Sequence, residues 1–335
     1  MTTHSALARA HANIALAKYW GKADTTWNLP AVPSLSLTLA GLTTETRVSF
    51  ESNLDADELL LDGSPAAPGE LRRAAQLLGR VREATGLALY ARVESQNHFP
   101  TAAGLASSAS GFCALAGAAL AAAGAPFDPA RISALARWSS ASAARSVYGG
   151  FVALAAGHVG QADLAAEPLY PADYWDLRLV VAVTAEGRKA VGSTAGMDLT
   201  AQTSPYYRAW VESAPARFTE VRAGLAERDL ARLGRAMEQS TLAMHACALA
   251  ADPGVLYFQP ATLAAIEAVR GLRRDGVQVY FTADAGPHVK ALCAASDVEQ
   301  VQTCLGATPG VLRTLVVKPG PGLEVQTSGG RSHAS

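Results

Sequence analysis

The chain has 335 residues, of which 50% are hydrophobic and only 17% charged, and its formal net charge is -1. That length and apolar content predict two domains, and the near-neutral balance excludes an overall basic field for nucleic acid or an anionic membrane surface, which favours small-molecule chemistry. Four widely spaced cysteines, Cys113, Cys247, Cys293 and Cys304, form no CxxC pair, so they argue against a zinc ribbon and read as buried thiols of a reducing, cytoplasmic compartment.

At the N-terminus His4, Arg9, His11 and Lys18 interrupt the apolar residues, so a signal-peptide core is lacking. Residues 13–22, NIALAKYWGK, read as an apolar strand-like run that ends in Lys18 and Lys22, suited to anionic groups, with Tyr19 shaping a pocket. The same letters also fit core aromatics and lysines solvated at a strand end. Residues 32–50 form two β-rich segments around Gly41 and predict paired strands. A second strand pair is expected at 58–61 and 87–94, flanking a helix over 69–85.

Residues 99–112, FPTAAGLASSASGF, place small residues and serines at the entry to an Ala/Leu run that predicts a helix from Pro100 through Ala123. Free N–H groups at a helix start and the hydroxyls of Ser107 or Ser108 fit a phosphate and Mg²⁺, although the Walker ending Gly-Lys-Ser/Thr is absent. A small-residue helix packed against a sheet fits equally well. The stretch 104–124 is the only candidate membrane span, and its Ala, Gly and Ser content predicts a buried helix instead.

Asp128 and Pro129 cap a helix over 130–138. Then RWSSASAARSVYGG, residues 137–150, sets Ser139, Ser140 and Ser142 ahead of Arg145, a guanidinium able to grip a carboxylate or phosphate with two parallel bonds. A capped helix end would read much the same. Strands are expected at 150–155 and 177–184, the latter opening the second half, followed by helices over 205–226, 229–250 and 261–274 and a strand over 277–283. In VYFTADAGP the acid Asp284 follows that strand as either a helix N-cap or a catalytic group. A helix from about Pro287, a last strand over 311–318 and a disordered tail over 328–335 complete an α+β chain without internal repeats.

Taken together, NIALAKYWGK, LPAVPSLSLTL, NHFPTAAGLASSASGF, ARSVYGGF, GSTAGM, TSPYYRAW, DAGP and KPGPG resemble, in order and across nearly the whole chain, the mevalonate diphosphate decarboxylases of the GHMP kinase superfamily. The resemblance implies a two-domain α+β fold with the active site in the cleft between the domains. An N-terminal ATP-binding domain (1–176) would be like ribosomal protein S5 domain 2, and a C-terminal domain (177–327) ferredoxin-like, with the tail at 328–335. It implies a cytoplasmic enzyme of isoprenoid biosynthesis, expected as a homodimer without nucleic acid or membrane partners, that uses ATP and Mg²⁺. The enzyme would phosphorylate the C3 hydroxyl of mevalonate 5-diphosphate and then release phosphate and CO₂ to leave isopentenyl diphosphate.

Matched residue by residue, the resemblance gives ATP binding to Asn13, Pro100, Ala103, Gly104, Leu105, Ala106, Ser107, Ser108 and Ser110, with Ser107 also at the metal. It places Asp284 beside the tertiary hydroxyl as proton acceptor, Lys18 near the reacting groups and Arg145 on the substrate carboxylate. Tyr19, Lys22, Ser140 and Ser142 fall on the 5-phosphate side, and Ser193 is a further substrate contact. Departures are Ser139 and Ala141 for two glycines, Val32 for Asn and His288 for Asn. A methyl at Ala141 is expected to narrow the phosphate cradle, which keeps open a decarboxylase of mevalonate 5-phosphate. A mevalonate 3-kinase without decarboxylation is a further reading, and so is a non-catalytic sensor on the same fold. The presence of Asp284, Lys18, Arg145 and the serines disfavours the last two.

Overall fold

The computed structural model describes residues 4–98, 107–187, 190–327 and 332–335. The first half runs β1 (His4–Ala17), a small hairpin of β2 (Lys22–Asp24) and β3 (Leu29–Pro30), β4 (Ser34–Glu51), β5 (Glu58–Leu61), β6 (Ser64–Pro65), α1 (Pro68–Thr85), β7 (Tyr90–His98), α2 (Ser107–Ala122) and α3 (Pro129–Ser139). A 3₁₀ turn (Ala141–Val147), β8 (Phe151–Leu154) and β9 (Glu167–Tyr170) close it. The second half runs β10 (Leu177–Val183), α4 (Ser193–Thr203), α5 (Tyr207–Glu227), α6 (Leu230–Leu249), α7 (Pro260–Arg274), β11 (Val279–Thr282), β12 (Val289–Ala294), α8 (Val298–Gly306), β13 (Arg313–Val317), β14 (Glu324–Thr327) and β15 (Ser332–Ala334).

Two sheets organise these elements into a two-domain α+β fold. Among the described residues the larger has nine strands, with the path β15-β14-β1-β4-β7-β5-β6 and with β8 and β9 joined to β4. It is mixed, since β5 and β7 run parallel while the other pairs are antiparallel. The smaller sheet is antiparallel in the order β11-β12-β10-β13.

The Ala-rich helix lies inside the first domain. Ala109, Ala114, Ala116, Ala118 and Ala119 of α2 are fully buried, and the helix packs against β1 and β4, where Ala6, Ala8 and Ala10 are equally small. Small side chains on both partners let helix and sheet approach closely. No described helix is long and apolar enough to cross a membrane.

β4 differs from the expected pair of strands. It is one strand of 18 residues in which Gly41, at φ +82°, bends the chain rather than reversing it. The halves on either side find different partners: Ser34–Leu37 pairs with β8, and Thr43–Glu51 with β7. The helix expected from Pro287 is absent as well; β12 occupies 289–294 because VKALCA is buried between β10 and β11, and the helix starts only at Val298.

The chain end also differs from expectation. β14, which the sequence reading placed in the second domain, pairs with β1 in the first sheet, and Leu323 and Val325 join the core beneath α2. Residues 332–334, expected to be disordered, pair with β14. The crossing back is made by KPGPG, residues 318–322, which lies on β4: the Ala40 N–H donates to the Lys318 carbonyl at 2.9 Å and the Gly320 N–H to the Thr38 carbonyl at 2.8 Å. A Cβ on Gly320 would stand 2.3 Å from the Ala40 nitrogen, so this close approach requires glycine. Gly320→Ala is expected to destabilise the protein by roughly 1–3 kcal/mol or more, read as a lower Tm in calorimetry; an unchanged Tm would show that the segment can lift off β4 without cost.

Candidate functional site

The functional geometry starts from β4. Its SLSLTL run alternates, as a strand requires, so that Leu35, Leu37 and Leu39 enter the core on one side while Ser34, Ser36 and Thr38 face the other, all fully buried. Those hydroxyls hold the segment that follows α3. The Arg145 guanidinium donates from Nε to Ser36 Oγ at 2.9 Å and from Nη1 to Ser34 Oγ at 2.7 Å, and Thr38 Oγ1 donates to the Tyr148 carbonyl. Arg145 is 2% exposed and, among the described residues, forms no ion pair. Burial pushes it down to about 10, with Asp284 pulling the other way.

Lys18 follows the last residue of β1, where that strand has left the first core and entered the second. Ile14 and Leu16 share a cluster with Leu179, Val181, Leu233 and Leu292. The Lys18 backbone N–H donates to Ser240 Oγ at 2.9 Å, and Nζ reaches the Ala15 carbonyl at 3.0 Å and Asp284 Oδ1 at 2.6 Å. Asp284 comes from the turn after β11 and caps no helix, since β12 follows. Its second oxygen, Oδ2, lies 3.4 Å from Lys290 Nζ of β12. The side chains of Lys18 and Lys290 are 1% and 3% exposed, whereas the carboxylate keeps 32% of its surface open to the cleft.

One charge balance accounts for all the shifts. Burial pushes the Lys18 ammonium down; Asp284 opposes this, but Lys290 and Arg145 add to it, and the result is about 8. For Asp284 burial works upward, yet the charges and hydrogen bonds of Lys18 and Lys290 outweigh it and hold the carboxyl well below the usual carboxylate range. Three cations against one acid leave an unpaired positive surplus. Burial, reinforced by the nearby lysines, brings His245 and His288 each down to about 4, so both are neutral at physiological pH.

Around this centre opens a cleft of about 1820 Å³, lined from both domains. Asn13, Tyr19, Lys22, Ser108, Ser140, Ser142 and Ser193 line it together with Lys18, Arg145 and Asp284. Asn13 donates from Nδ2 to the Ser142 carbonyl and to Ser146 Oγ, leaving its buried Oδ1 without a partner among the described residues. The Tyr19 hydroxyl is likewise buried and unpartnered. Ser140 and Ser142 share a hydrogen bond at 3.0 Å, and Ser193 is the first residue of α4. Ser110 is not at the cleft: it is fully buried, 2.7 Å from Thr44 Oγ1. Pro100, Ala103, Gly104, Leu105 and Ala106 lie outside the described residues, and Ser107 is described only as the first residue of α2.

The comparisons with known proteins follow the same outline. Residues 10–165 match the family described as "Diphosphomevalonate decarboxylase-like N-terminal domain" and residues 179–311 "Mevalonate 5-diphosphate decarboxylase C-terminal domain". The chain belongs to the diphosphomevalonate decarboxylase family, within the GHMP kinase superfamily. The decarboxylase of Aspergillus fumigatus is 34% identical over 329 residues, covering 92% of this chain and 81% of that protein. Among solved structures, the mevalonate diphosphate decarboxylase of Staphylococcus aureus superposes with a TM-score of 0.92 at 36% identity, covering 97% and 99% of the two chains. A complex of MDDEF with MVAPP, AMPPCP and magnesium gives a TM-score of 0.92 at 38% identity, covering 98% and 100%.

At three departures from the decarboxylase motifs the side chains are buried. The Ala141 side chain is 2% exposed, joins Leu29, Ala144, Val152 and Leu154 in an apolar cluster, and also lies on the cleft lining between Ser140 and Ser142. Val32 is buried with Trp20, Met197 and Trp210. His288 accepts at Nδ1 from the Thr184 N–H at 3.2 Å. Sequence reading missed the hydroxyl pair on Arg145, which the alternation of SLSLTL signals, and it missed Lys290, whose signal is a lone lysine inside an apolar strand.

The surplus has a measurable consequence. An anion in the cleft stabilises the charged form of Lys18 and raises its pKa above about 8, so binding takes up protons near pH 8 and affinity falls as pH rises through that value. Titration calorimetry of ATP or a mevalonate phosphate in two buffers of different ionisation enthalpy is expected to give an uptake of up to about half a proton at pH 8, where the ligand phosphates are already ionised. Equal heats in both buffers at pH 8 would remove Lys18 from the anion site.

Proposed function

We propose that this decarboxylase converts mevalonate 5-diphosphate and ATP into isopentenyl diphosphate, ADP, phosphate and CO₂. The observation that carries the reading is the buried positive surplus of Lys18, Lys290 and Arg145 over Asp284, in a cleft between the two domains of a chain from this family. Buried cations that no internal acid balances are a site for a substrate with several negative charges.

The residues fit ATP and magnesium. α2 starts at Ser107 with Ser108 on the cleft wall, which offers the Ser108 hydroxyl and a helix N-terminus, oxygen and N–H chemistry suited to Mg²⁺-nucleotide. No group of three or more His, Cys, Asp or Glu among the described residues could hold a metal by itself, in keeping with an ion that keeps mostly phosphate and water ligands. Bound MgATP supplies the phosphoryl group that turns the C3 hydroxyl into a leaving group.

In this reading Ser107 and Ser108 take phosphate oxygens, Ser107 also the metal, and Pro100, Ala103, Gly104, Leu105 and Ala106 belong to the ATP-binding sequence. Asp284 accepts a hydrogen bond from the C3 hydroxyl, aligns it for in-line transfer and takes up its proton as the bond to the γ-phosphorus forms and the bond from that phosphorus to the ADP oxygen breaks, and Lys18 neutralises charge on the transferring group. Arg145, already fixed by Ser34 and Ser36, binds the substrate carboxylate; when the C3–O bond to phosphate breaks, the C–C bond to that carboxylate breaks too, its electron pair forming the new C=C bond as CO₂ leaves. Tyr19, Lys22, Ser140, Ser142 and Ser193 face the 5-diphosphate, and Asn13 orders Ser142 through its carbonyl. The finer fold reading, a first domain like ribosomal protein S5 domain 2 and a ferredoxin-like second, belongs to the same proposal, as do a cytoplasmic setting and a homodimer.

The deciding assay incubates the protein with ATP, Mg²⁺ and mevalonate, its 5-phosphate or its 5-diphosphate, and measures ADP and CO₂ separately. ADP and CO₂ in equal amounts from the diphosphate are expected; ADP without CO₂ would make the protein a 3-kinase. Asp284→Asn keeps the shape and loses the charge, and turnover per folded enzyme is expected to fall by roughly 10²-fold or more. Ser107→Ala with Ser108→Ala should raise the KM for ATP while leaving Tm in place, and unchanged ATP kinetics would remove the α2 assignment.

A further inference from the structure

We propose that Lys290 is a positioning residue of the reaction: its ammonium clamps Asp284 Oδ2 from the side opposite Lys18, fixing the carboxylate that faces the substrate hydroxyl. The proposal rests on the decarboxylation reading above and adds to it a residue in the second sheet.

Lys290 sits in the middle of the four-stranded sheet, opposite Val181 of β10 and Thr282 of β11, in a strand whose other members are Val289, Ala291, Leu292, Cys293 and Ala294. An ammonium there gives up its hydration, a cost of several kcal/mol unless a partner offsets it. Among the described residues its ion-pair partner is Asp284, at 3.4 Å, while Lys18 holds the other carboxylate oxygen at 2.6 Å. The two lysines belong to different domains, Lys18 following β1 and Lys290 within β12, so the carboxylate is pinned at two points across the domain junction. The charged and titratable groups around Lys290 are Asp284, Lys18 of the first domain, His245 of α6 and His288 before β12, with Arg313 of β13 beyond His288 and Arg145 of the 3₁₀ turn beyond Lys18. Both histidines are neutral at working pH and supply no counter-charge.

A fold-stabilising role predicts something different. Lys18 and Asp284 remain a balanced pair without Lys290, so a methionine of similar length would leave no orphaned acid and would relieve a desolvated cation. Replacing such a charge by an apolar chain is neutral or stabilising as far as folding goes. What is lost is the second point that orients Asp284, together with one positive charge beside Lys18.

The test compares wild type, Lys290→Met and Lys290→Gln in the ADP and CO₂ assay across pH 6–10, with Tm measured alongside. Wild-type activity establishes the decarboxylation reading by itself, so its failure is distinguishable from failure of the variants. For Lys290→Met we expect Tm equal to or above wild type, kcat lower by about tenfold or more, KM for ATP nearly unchanged, and the alkaline limb of kcat/KM moved upward from about pH 8, because Lys18 has lost a like charge nearby. Lys290→Gln keeps a donor without the charge, so it should move the limb equally. A kcat within twofold of wild type with an unmoved limb overturns the proposal, as does a loss of activity that merely tracks a fall in Tm. Should neither variant fold, lysine-selective ¹⁵N spectra of the otherwise native protein decide: two ammonium resonances that both shift on Asp284→Asn are expected, and a single one overturns the assignment.

Discussion

The structure turns on a buried charge imbalance. Lys18, Lys290 and Arg145 converge on one carboxylate, and no described acid pairs with Arg145 or supplies the missing negative charge. Such an arrangement is costly in a folded protein, since each desolvated cation loses several kcal/mol of hydration that only good partners restore. It persists because each cation is anchored by something the fold provides independently. Arg145 has the Ser34 and Ser36 hydroxyls, Lys18 has the Ala15 carbonyl and Asp284, and Lys290 has its place in a fully paired central strand. The protein thus holds its positive charges ready, and a polyanionic ligand completes the balance.

Keeping those charges in register requires the two domains to share structure. β1 begins under α2 in the first core and ends in a cluster with Leu179, Val181 and Leu292 of the second sheet, which delivers Lys18 to a carboxylate that follows β11. KPGPG returns in the opposite direction along β4 to place β14 against β1. The Gly150 N–H donates to the Gly320 carbonyl at 2.9 Å, so the returning segment also fixes the backbone just beyond the turn that carries Arg145. The motifs YGG and KPGPG are thereby explained by backbone meeting backbone at the domain junction, with no ligand contact needed.

Much of this was legible in the sequence, for identifiable reasons. Helices such as α1, α3, α6 and α7 carry a 3.6-residue period or clear caps, and β10 is a continuous apolar run. Lys18, Tyr19 and Asp284 stand out because charged or polar residues end apolar segments, and Arg145 because it is the one strong cation after a run of serines. The errors share one cause, that local letters do not reveal pairing partners. Gly41 reads as a turn, but two halves of one strand with different neighbours turn it into a bend. Residues 287–294 read as a helix after a Gly-Pro pair, but insertion between β10 and β11 makes them a strand. Lys290 was passed over because one lysine in a hydrophobic stretch has no meaning until the opposing carboxylate is in view.

The same charge balance bears on what Asp284 can do. A carboxylate clasped by two ammonium groups stays ionised well into acid, and for that reason it is a weak base. A strong base is not what phosphoryl transfer asks for: with a loose transition state, bond making to the hydroxyl oxygen lags, and alignment and charge neutralisation matter more than early proton removal. An acid pinned at both oxygens is suited to alignment, because its remaining lone pairs point in fixed directions. The surplus of positive charge then serves the second half of the proposed reaction too. Decarboxylation turns one anionic group of the substrate into neutral CO₂ while the departing phosphate carries charge away from C3, so the cations that first gathered the anions face a growing negative charge on the leaving group. A site that was electrically neutral before binding would have nothing to offer at that step; one that is positive at rest stabilises it without rearrangement.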